Sequence, residues 1–368
     1  MGFFKNLGLR EVINACGRMT ALGASIIDEK VAEAMKQATQ EYVNIEELME
    51  FTGKVIAEVT GAEDGCPTCG AAAGLAISIA AVIAKTELPL IEKIPDTEGL
   101  KNEIIIQKGH VVNFDSSLTQ VIRIGGGKPI EVGHVNKVDK EHIESAINEN
   151  TAALLFVKSH HTVQKGMLSI EEMFDIAREY ELPFIVDAAA EEDFQKYVKM
   201  GADIVIYSGT KALEGNTSGF ICGKKKWMEA CRAQYKGIGR SMKIGKEGMA
   251  GLITALRLYG KKTSDVELQI ARSKHICELL NELAGLTCTI EKDESGRDIY
   301  RAKIAVDENI TGMSALELAR RLEANDPAIY LRKYYAAQGI LYVDPRPLLD
   351  RQEEIVVKEI AKIINKEK

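Results

Sequence analysis

The chain has 368 residues, of which 46% are hydrophobic, so it can bury a large core, and a disordered or fibrous protein is excluded. Its formal net charge is −7 at pH 7. Nucleic-acid binding usually rests on clustered Lys and Arg side chains, so this acidic balance predicts no nucleic-acid partner.

The N-terminal segment MGFFKNLGLREV lacks the apolar core and the cleavage site of a secretory signal. Seven cysteines are irregularly spaced, which is typical of reduced thiols rather than of a disulfide framework. Cys66 and Cys69 form a C-x-x-C pair, but a structural zinc site needs a second pair of ligands. The sequence therefore predicts a cytoplasmic protein without a metal site.

The segment CGAAAG (69–74) opens an apolar run that continues to Ala84. This run is too short to span a bilayer, so we expect no membrane partner. Backbone N–H groups at a helix start bind anions, which makes Cys69, Gly70 and Ala71 candidate phosphate ligands. Close packing of the helix on a sheet is the alternative role for these small residues. The glycine patterns of nicotinamide and nucleoside-triphosphate sites are absent.

Four apolar, β-branched runs predict strands: 103–107 (EIIIQ), 152–157 (AALLFV), 183–188 (PFIVDA) and 203–208 (DIVIYS). Strands that are apolar throughout belong to parallel sheets covered on both faces. A helical segment closed by Gly201 joins the last two runs, which lets them lie parallel. Their carboxyl ends then share one edge, where open α/β sheets bind ligands.

Histidines follow two of these strands, His110 after the first and His160 with His161 after the second. An imidazole at such a position can stack on the ring of a ligand or hydrogen-bond to it. A structural histidine with satisfied hydrogen bonds is the alternative.

Lys211 ends the segment YSGTK (207–211), one short turn beyond the last strand. A buried lysine there has a lowered pKa and can form an imine, whereas the alternative is a solvated loop lysine. Ser208 and Lys211 also match the S-x-x-K pattern of serine acyltransferases. The companion motifs of those enzymes are absent, so that interpretation fails.

Asp187 ends the preceding strand, and adjacent parallel strands would bring its carboxylate close to Lys211. An amine and a carboxylate so placed suit pyridoxal phosphate (PLP), because the lysine carries the cofactor as a Schiff base and the aspartate keeps the pyridine nitrogen protonated. The alternative role for Asp187, capping the helix that follows, is served more simply by Glu191, Glu192 or Asp193.

Three cations, Arg240, Lys243 and Lys246, lie within seven residues and are flanked by glycines. This pattern suits a phosphorylated or carboxylated substrate, with a solvated basic turn as the alternative. Arg332 and Arg346, further along the chain, are candidates for binding a substrate carboxylate, and the sequence does not separate them.

Beyond about residue 246 the pattern changes to long charged helices, then short strands, and ends in the amphipathic helix EEIVVKEIAKIIN. We therefore predict an α/β protein with an N-terminal arm (1–14), a large domain (15–255) and a small C-terminal α+β domain (256–368).

Taken together, these motifs resemble the aspartate aminotransferase-like (fold type I) superfamily of PLP enzymes. More narrowly, the chain resembles the D-glucosaminate-6-phosphate ammonia lyases, which are related to bacterial selenocysteine synthase. The segments that carry this likeness are INACGRMTALG (13–23), GAAAGLA (70–76), VKSHHTVQKGM (157–167), VDAAAEED (186–193), SGTKALEGNTSGF (208–220) and GIGRSMKIGKEG (237–248).

The resemblance implies a mostly parallel seven-stranded sheet and a PLP-dependent lyase. Its substrate would be a phosphorylated amino sugar acid, converted to 2-keto-3-deoxy-6-phosphogluconate and ammonia. Lys211 would be the Schiff-base lysine and Asp187 the partner of the pyridine nitrogen. Ser208 and the helix start at 69–72 would hold the cofactor phosphate. His160 or His161 would protonate the leaving 3-hydroxyl group after Lys211 removes the Cα proton.

The resemblance also implies a homodimer with shared active sites. The segment 215–219, with Thr217 as a cofactor contact, would reach the partner subunit, and Arg18 would bind substrate. Asn216 departs from the proline expected in relatives. Two other functions stay open, namely another PLP reaction such as transamination, dehydration or selenium transfer, and a non-catalytic PLP-binding regulator.

Overall fold

The computed structural model describes residues 2–114, 116–159, 161–260, 266–293 and 297–365. None of the helices in these ranges is long and apolar enough to cross a membrane. The chain divides into two compact units, one formed by Met1–Ile26 with Thr263–Lys368 and the other by Ile27–Lys262.

The strands, in chain order, are β1 (Val12–Ala15), β2 (Asp64–Thr68), β3 (Glu103–Gln107), β4 (Lys128–Val132), β5 (Thr151–Val157), β6 (Phe184–Asp187), β7 (Ile204–Ser208), β8 (Gly219–Gly223), β9 (Leu286–Lys292), β10 (Tyr300–Val306), β11 (Ala328–Leu331) and β12 (Ile340–Val343). The helices are α1 (Phe3–Asn6), α2 (Glu29–Thr39), α3 (Ile45–Thr60), α4 (Ala71–Ala84), α5 (Leu88–Lys93), α6 (Leu118–Ile124), α7 (Lys140–Glu144), α8 (Ile170–Glu179), α9 (Lys196–Met200), α10 (Lys225–Ala233), α11 (Lys246–Tyr259), α12 (Val266–Leu280), α13 (Glu308–Thr311), α14 (Ala315–Ala324) and α15 (Gln352–Asn365).

The Ile27–Lys262 unit is built on a seven-stranded sheet of order β2-β8-β7-β6-β5-β3-β4. Strand β8 runs antiparallel to both β2 and β7, whereas the other neighbouring pairs are parallel. Strands β3, β5, β6 and β7 are buried along their whole length, as their continuous apolar sequences require. The predicted α/β fold with a mostly parallel seven-stranded sheet is confirmed.

Helix α4 packs on this sheet through its small residues. A Cβ atom added at Gly74 would lie 3.0 Å from Cγ2 of Ile206, so the helix backbone lies directly over strand β7. Ser78 satisfies its buried hydroxyl by donating to the carbonyl oxygen of Gly74 at 2.7 Å. The packing role of the small residues is therefore real, and it brings the start of α4 to the edge where the parallel strands end.

The other unit contains a three-stranded antiparallel sheet of order β12-β10-β9 and a parallel pair, β1 with β11. Because Ile13 of β1 pairs with Ile329 of β11, the first 26 residues join the C-terminal segment in one compact unit. The sequence predicts residues 15–26 in the large domain, whereas the structure groups them with the C-terminal segment. The difference comes from a pairing between distant parts of the chain, which no local pattern reveals.

Candidate active site

The carboxyl ends of β2, β3, β5, β6 and β7 lie at one edge of the seven-stranded sheet. Strand β8 runs the other way and contributes its first residue, Gly219, which pairs with both Thr68 and Ser208. The polar groups that follow the strand ends are therefore gathered at a single edge, as the sequence predicted.

Asp187 ends β6 at this edge and is 8% exposed. Its Oδ1 accepts the N–H of Ala189 at 3.2 Å, and no residue in the described ranges donates to Oδ2. Burial raises the pKa of this carboxyl group, and the positive charge of Lys211 opposes that rise. The two groups on which the prediction rested are thus close enough to interact electrostatically.

Asp187 does not cap the helix that follows it. Asp193 takes that role, because its Oδ1 accepts the N–H groups of Gln195 and Lys196 at 2.9 and 3.1 Å. The side chain of Asp187 is left for another use at the sheet edge.

Lys211 lies half-buried in a tight loop after β7. The N–H of Gly209 donates to the carbonyl oxygen of Ser218 at 2.8 Å, and the N–H of Gly215 donates to that of Gly209 at 2.7 Å. A Cβ atom at Gly209 would lie 2.1 Å from Oγ of Ser218, so only glycine fits there. These contacts fix the backbone on both sides of Lys211.

The start of α4, predicted as an anion site, has no described side chain bound to its first N–H groups. No side chain caps the helix at Gly70, and its first turn contains no acidic residue, so N–H groups are left for a ligand. A Cβ atom at Gly219 would lie 2.5 Å from the carbonyl carbon of Gly70, which shows how closely β8 approaches. Cys69, Gly70 and Ala71 are half-buried. The Ser208 hydroxyl lies 3.1 Å from that of Thr210.

His110 is almost fully buried and holds its ring edge-on to Phe156, with the ring centroids 4.5 Å apart. Its Nδ1 accepts the N–H of Val157 at 3.3 Å, so the ring proton lies on Nε2. Burial, together with the charge of Lys158, lowers the pKa of His110 to about 4. The imidazole is therefore neutral at physiological pH and offers an N–H donor.

The loop that follows β5 is tied down at both ends. The N–H of Lys158 donates to the carbonyl oxygen of Asp187 at 2.8 Å, and the N–H of Val163 donates to that of Gly109 at 2.9 Å. His161 is exposed, with its N–H 3.2 Å from Oγ of Ser159. His160 lies outside the described residues.

Gln107, which the sequence patterns did not single out, ends β3 and is fully buried. Its Nε2 donates to the carbonyl oxygen of Leu168 at 3.1 Å, and its Oε1 accepts the N–H of Leu168 at 2.7 Å. This pair of bonds clamps the far end of the loop that carries His161. A polar amide closing an otherwise apolar strand is the signal that would have found it.

The three predicted substrate cations of this unit differ in their surroundings. Arg240 and Lys243 are exposed. The ammonium group of Lys246 instead contacts the carbonyl oxygens of Thr39 and Glu41 and lies 5.6 Å from the ring centroid of Tyr42. Lys246 therefore already holds the segment that follows α2.

The cofactor contact predicted at Thr217 falls on an exposed residue between two buried neighbours. Asn216, which departs from the expected proline, donates from Nδ2 to the carbonyl oxygen of Gly248 at 3.1 Å. It thereby attaches this loop to the first turn of α11.

Arg18, Arg332 and Arg346 belong to the other unit, where the two later arginines have different partners. Arg346 binds Asp344 through Nε at 2.9 Å and Nη2 at 2.7 Å, and Arg301 binds the same carboxylate at 2.9 Å. Burial raises the pKa of Asp344, but the charges and hydrogen bonds of Arg346 and Arg301 outweigh it and keep that pKa below its usual range.

Arg332 is half-buried, and its guanidinium group has no hydrogen bond or ion pair to any residue that the structure describes. Burial lowers its pKa and the positive charge of Arg301 adds to this effect, while the negative charges of Asp344 and Asp293 partly oppose it. An anion at Arg332 would relieve both penalties. Arg18 is half-buried as well.

Residues 12–282 match the family model described as SelA, L-seryl-tRNA selenium transferase. The chain belongs to this family. It is 44% identical to D-glucosaminate-6-phosphate ammonia lyase of Salmonella typhimurium over 98% of this chain and 97% of that protein. It is 41% identical to 5'-C-glycyluridine monooxygenase-decarboxylase of a Streptomyces species, over 98% of this chain and 92% of that protein.

A solved structure of D-glucosaminate-6-phosphate ammonia lyase matches with a TM-score of 0.94 and 43% identity, covering 100% of this chain and 99% of that one. The resemblance inferred from the motifs is thus confirmed. The family and the fold type I architecture imply pyridoxal phosphate as the cofactor.

The residues at the sheet edge fit this cofactor. The buried carboxyl group of Asp187 has a raised pKa and an oxygen without a described donor, which suits a protonated ring nitrogen. The uncapped start of α4 suits a phosphate group, and Lys211 supplies a primary amine.

Proposed function

We propose that this protein is a PLP-dependent carbon–nitrogen lyase that converts D-glucosaminate 6-phosphate to 2-keto-3-deoxy-6-phosphogluconate and ammonia. The observation that carries the proposal is the interacting pair Lys211 and Asp187 at the ligand-binding edge of the sheet. The pair occurs in a chain that matches an ammonia lyase at 44% identity over nearly its whole length.

Five groups at the sheet edge would hold the cofactor. Lys211 would bind it covalently through Nζ, and Asp187 would pair with its ring nitrogen. The start of α4 and the hydroxyl group of Ser208 would bind its phosphate group. His110, neutral and with its proton on Nε2, would stack on the ring or donate a hydrogen bond to it.

When bound, PLP supplies an electron sink for the charge left at the substrate Cα. The proton from Cα is taken by Nζ of Lys211, whose loop is fixed by the contacts of Gly209 and Gly215. His161 or His160 then donates a proton to the departing 3-hydroxyl group. The clamp of Gln107 on Leu168 limits the movement of the loop that brings this acid.

The two ends of the substrate would be held by different cations. Arg332 is the proposed ligand of the carboxylate, because its guanidinium group has no hydrogen bond or ion pair to a described carboxylate, whereas Arg346 binds Asp344 directly. Arg240 and Lys243 are the proposed ligands of the phosphate group. Arg18 stays a candidate substrate ligand.

The relative of 41% identity supports a second candidate, an oxygen-dependent decarboxylation. The two relatives are nearly equally similar, so residues that serve any 2-amino acid substrate do not separate them. The two reactions differ in what they consume and release. A lyase frees ammonia without oxygen, whereas a monooxygenase-decarboxylase consumes oxygen and releases carbon dioxide.

The test is to incubate the holoenzyme with D-glucosaminate 6-phosphate and with its unphosphorylated form, with and without oxygen. We expect ammonia and the 2-keto acid to form equally well without oxygen, and the phosphorylated substrate to be preferred. Oxygen uptake with carbon dioxide release would support the second candidate instead. Conversion of the cofactor to its amine form by amino donors would indicate a transaminase, and bound cofactor without turnover would indicate a regulator.

Variants at the sheet edge connect this activity to the site. Lys211→Ala should abolish the absorbance of the covalently held cofactor and turnover, and Asp187→Asn should lower kcat/KM by about a hundredfold or more. The matched control is Asp203→Asn. Asp203 is equally buried but precedes β7, where it accepts the N–H of Phe184 at 2.9 Å. This control should lose stability but keep kcat/KM. An active Lys211→Ala protein would refute the assignment.

The proposal includes a cytoplasmic homodimer in which the segment 215–219 contributes to the partner's active site. The exposure of Thr217 is compatible with such a contact. Mixing Lys211→Ala protein with a variant altered at Thr217 would test it, because shared sites restore part of the activity in mixed dimers.

A further inference from the structure

Two cysteines of the unit that contains Arg332 lie in direct sulfur contact. Cys277 is in helix α12 and Cys288 is in strand β9, and their Sγ atoms are 2.9 Å apart. Both are buried, at 7% and 4% exposure. No other two cysteine sulfurs lie within hydrogen-bond distance of each other in the described parts of the chain, so this pair stands out among the seven thiols.

The backbone around the pair is held in place from both sides. The side chain of Asn281, the residue that follows α12, accepts the N–H of Cys288 at 2.7 Å and donates to its carbonyl oxygen at 3.0 Å, which ties the end of α12 to β9. Cys288 also pairs with Ile304 of the central strand β10. The two sulfurs would need to approach each other by less than ~1 Å to reach the length of a sulfur–sulfur bond.

We propose that Cys277 and Cys288 form a reversible disulfide when the protein meets a small peroxide, so that the pair is a modification site outside the active site. The proposal is independent of the lyase assignment. A peroxide is the fitting oxidant because two thiols this buried exclude bulky disulfide reagents.

Cys277 is the thiol that reacts first. The S–H of Cys288 donates to the sulfur of Cys277, and this bond lowers the pKa of Cys277 while burial opposes it. Its thiolate attacks one peroxide oxygen, the O–O bond breaks, and a sulfenic acid and hydroxide form. The hydroxide takes up the proton that Cys277 lost, which gives water.

The sulfur of Cys288 then attacks the sulfur of Cys277. The S–OH bond breaks, and the hydroxyl group leaves with the proton of Cys288 as a second water. Two thiols are oxidised and one peroxide is reduced to two waters. A thiol reductant reverses the bond, so the site is compatible with a reducing compartment.

The sequence makes the test direct. Trypsin releases both cysteines in one peptide, His275–Lys292, which contains no other cysteine. The full-length holoenzyme is treated with hydrogen peroxide, its free thiols are then alkylated in denaturant, and the digest is analysed without reduction. We expect this peptide to lose two hydrogen atoms and take up no alkyl group. Cleavage after Glu282 should leave two pieces that separate only on reduction.

Oxidised protein should also melt a few degrees higher, because the bond restricts the unfolded chain. Cys277→Ser and Cys288→Ser should abolish this shift, and Cys231→Ala, which removes another buried helical cysteine, should keep it. The proposal is overturned if wild-type peptide His275–Lys292 stays alkylated at both positions while other cysteines oxidise. It is also overturned if Cys277 proceeds to sulfinic acid instead.

Discussion

Replacing His110 with asparagine tests whether this side chain is a buried neutral imidazole. Oδ1 of asparagine lies where Nδ1 of histidine does, so the acceptor for the N–H of Val157 is kept. The variant therefore removes the titratable ring and its edge-on contact with Phe156 but leaves the backbone hydrogen bond. What it should change most is the dependence of stability on pH.

The magnitude follows from the pKa of His110 in the two states. In the unfolded chain it is about 6.5, and burial with the charge of Lys158 lowers it to about 4 in the folded protein. Below about pH 6.5 the unfolded state binds a proton that the folded state does not, so stability falls as the pH falls towards about 4. At about 1.4 kcal/mol for each unit of pKa, the full loss is at most about 3 kcal/mol, of which about 2 kcal/mol is lost by pH ~5.

The assay is the free energy of urea unfolding of wild type and His110→Asn at several pH values between about 7 and 5. Other titrating groups cancel in the difference between the two proteins, so wild type should lose about 2 kcal/mol more than the variant over this range. His110→Phe keeps an aromatic ring but leaves the N–H of Val157 unpaired, so it should be about 1–3 kcal/mol less stable at every pH. Parallel curves for wild type and His110→Asn would refute the reasoning.

Three further changes probe the site. Gly219→Ala should weaken cofactor binding, because the added Cβ atom would displace β8 from Gly70. Titration of the protein with cofactor measures this, and an unchanged affinity for the cofactor would contradict the proposed phosphate site. Arg332→Gln should raise KM at least about tenfold without loss of stability. Arg346→Gln should instead lower the melting temperature, because Asp344 loses a charged partner. The opposite pattern would exchange the roles of the two arginines. Gln107→Leu should lower the free energy of unfolding by about 2 kcal/mol and should lower kcat more than it raises KM. An unaltered kcat would show that the hydrogen bonds of Gln107 to Leu168 are purely structural.

The sheet was predictable because its central strands are buried on both faces. EIIIQ (103–107) and DIVIYS (203–208) have no polar alternation, and the structure places strands there almost residue for residue. The pairing of β1 with β11 joins residues more than 300 positions apart, and neither strand carries a local sign of its partner. The unit boundaries were missed for this reason.

The candidate site was predictable where a residue directly follows a strand. Asp187 and Lys211 were located by strand ends alone, since parallel neighbours bring such residues to one edge. Lys246 could not be separated from Arg240 by sequence, because its engagement with the carbonyl oxygens after α2 depends on how α11 packs beside α2. Gln107 was missed because its partner, Leu168, is a backbone 61 residues away.

The arginines of the second unit differ in their charged partners. Asp293 and Asp344 are the carboxylates at the centre of this buried group, and Arg297, Arg301 and Arg346 all bind to them. Arg332 is a further positive charge that none of the described carboxylates binds.

Asp344 and Asp293 partly offset the cost of burying Arg332, but no described carboxylate forms a hydrogen bond or ion pair with it, so an anionic ligand would stabilise this half-buried cation further. A carboxylate would serve, but every 2-amino acid has one. The proposed carboxylate ligand therefore does not separate an ammonia lyase from an oxygen-dependent decarboxylase. That distinction depends on whether the Cα–carboxylate bond survives, which is why oxygen uptake and ammonia release must be measured on the same sample.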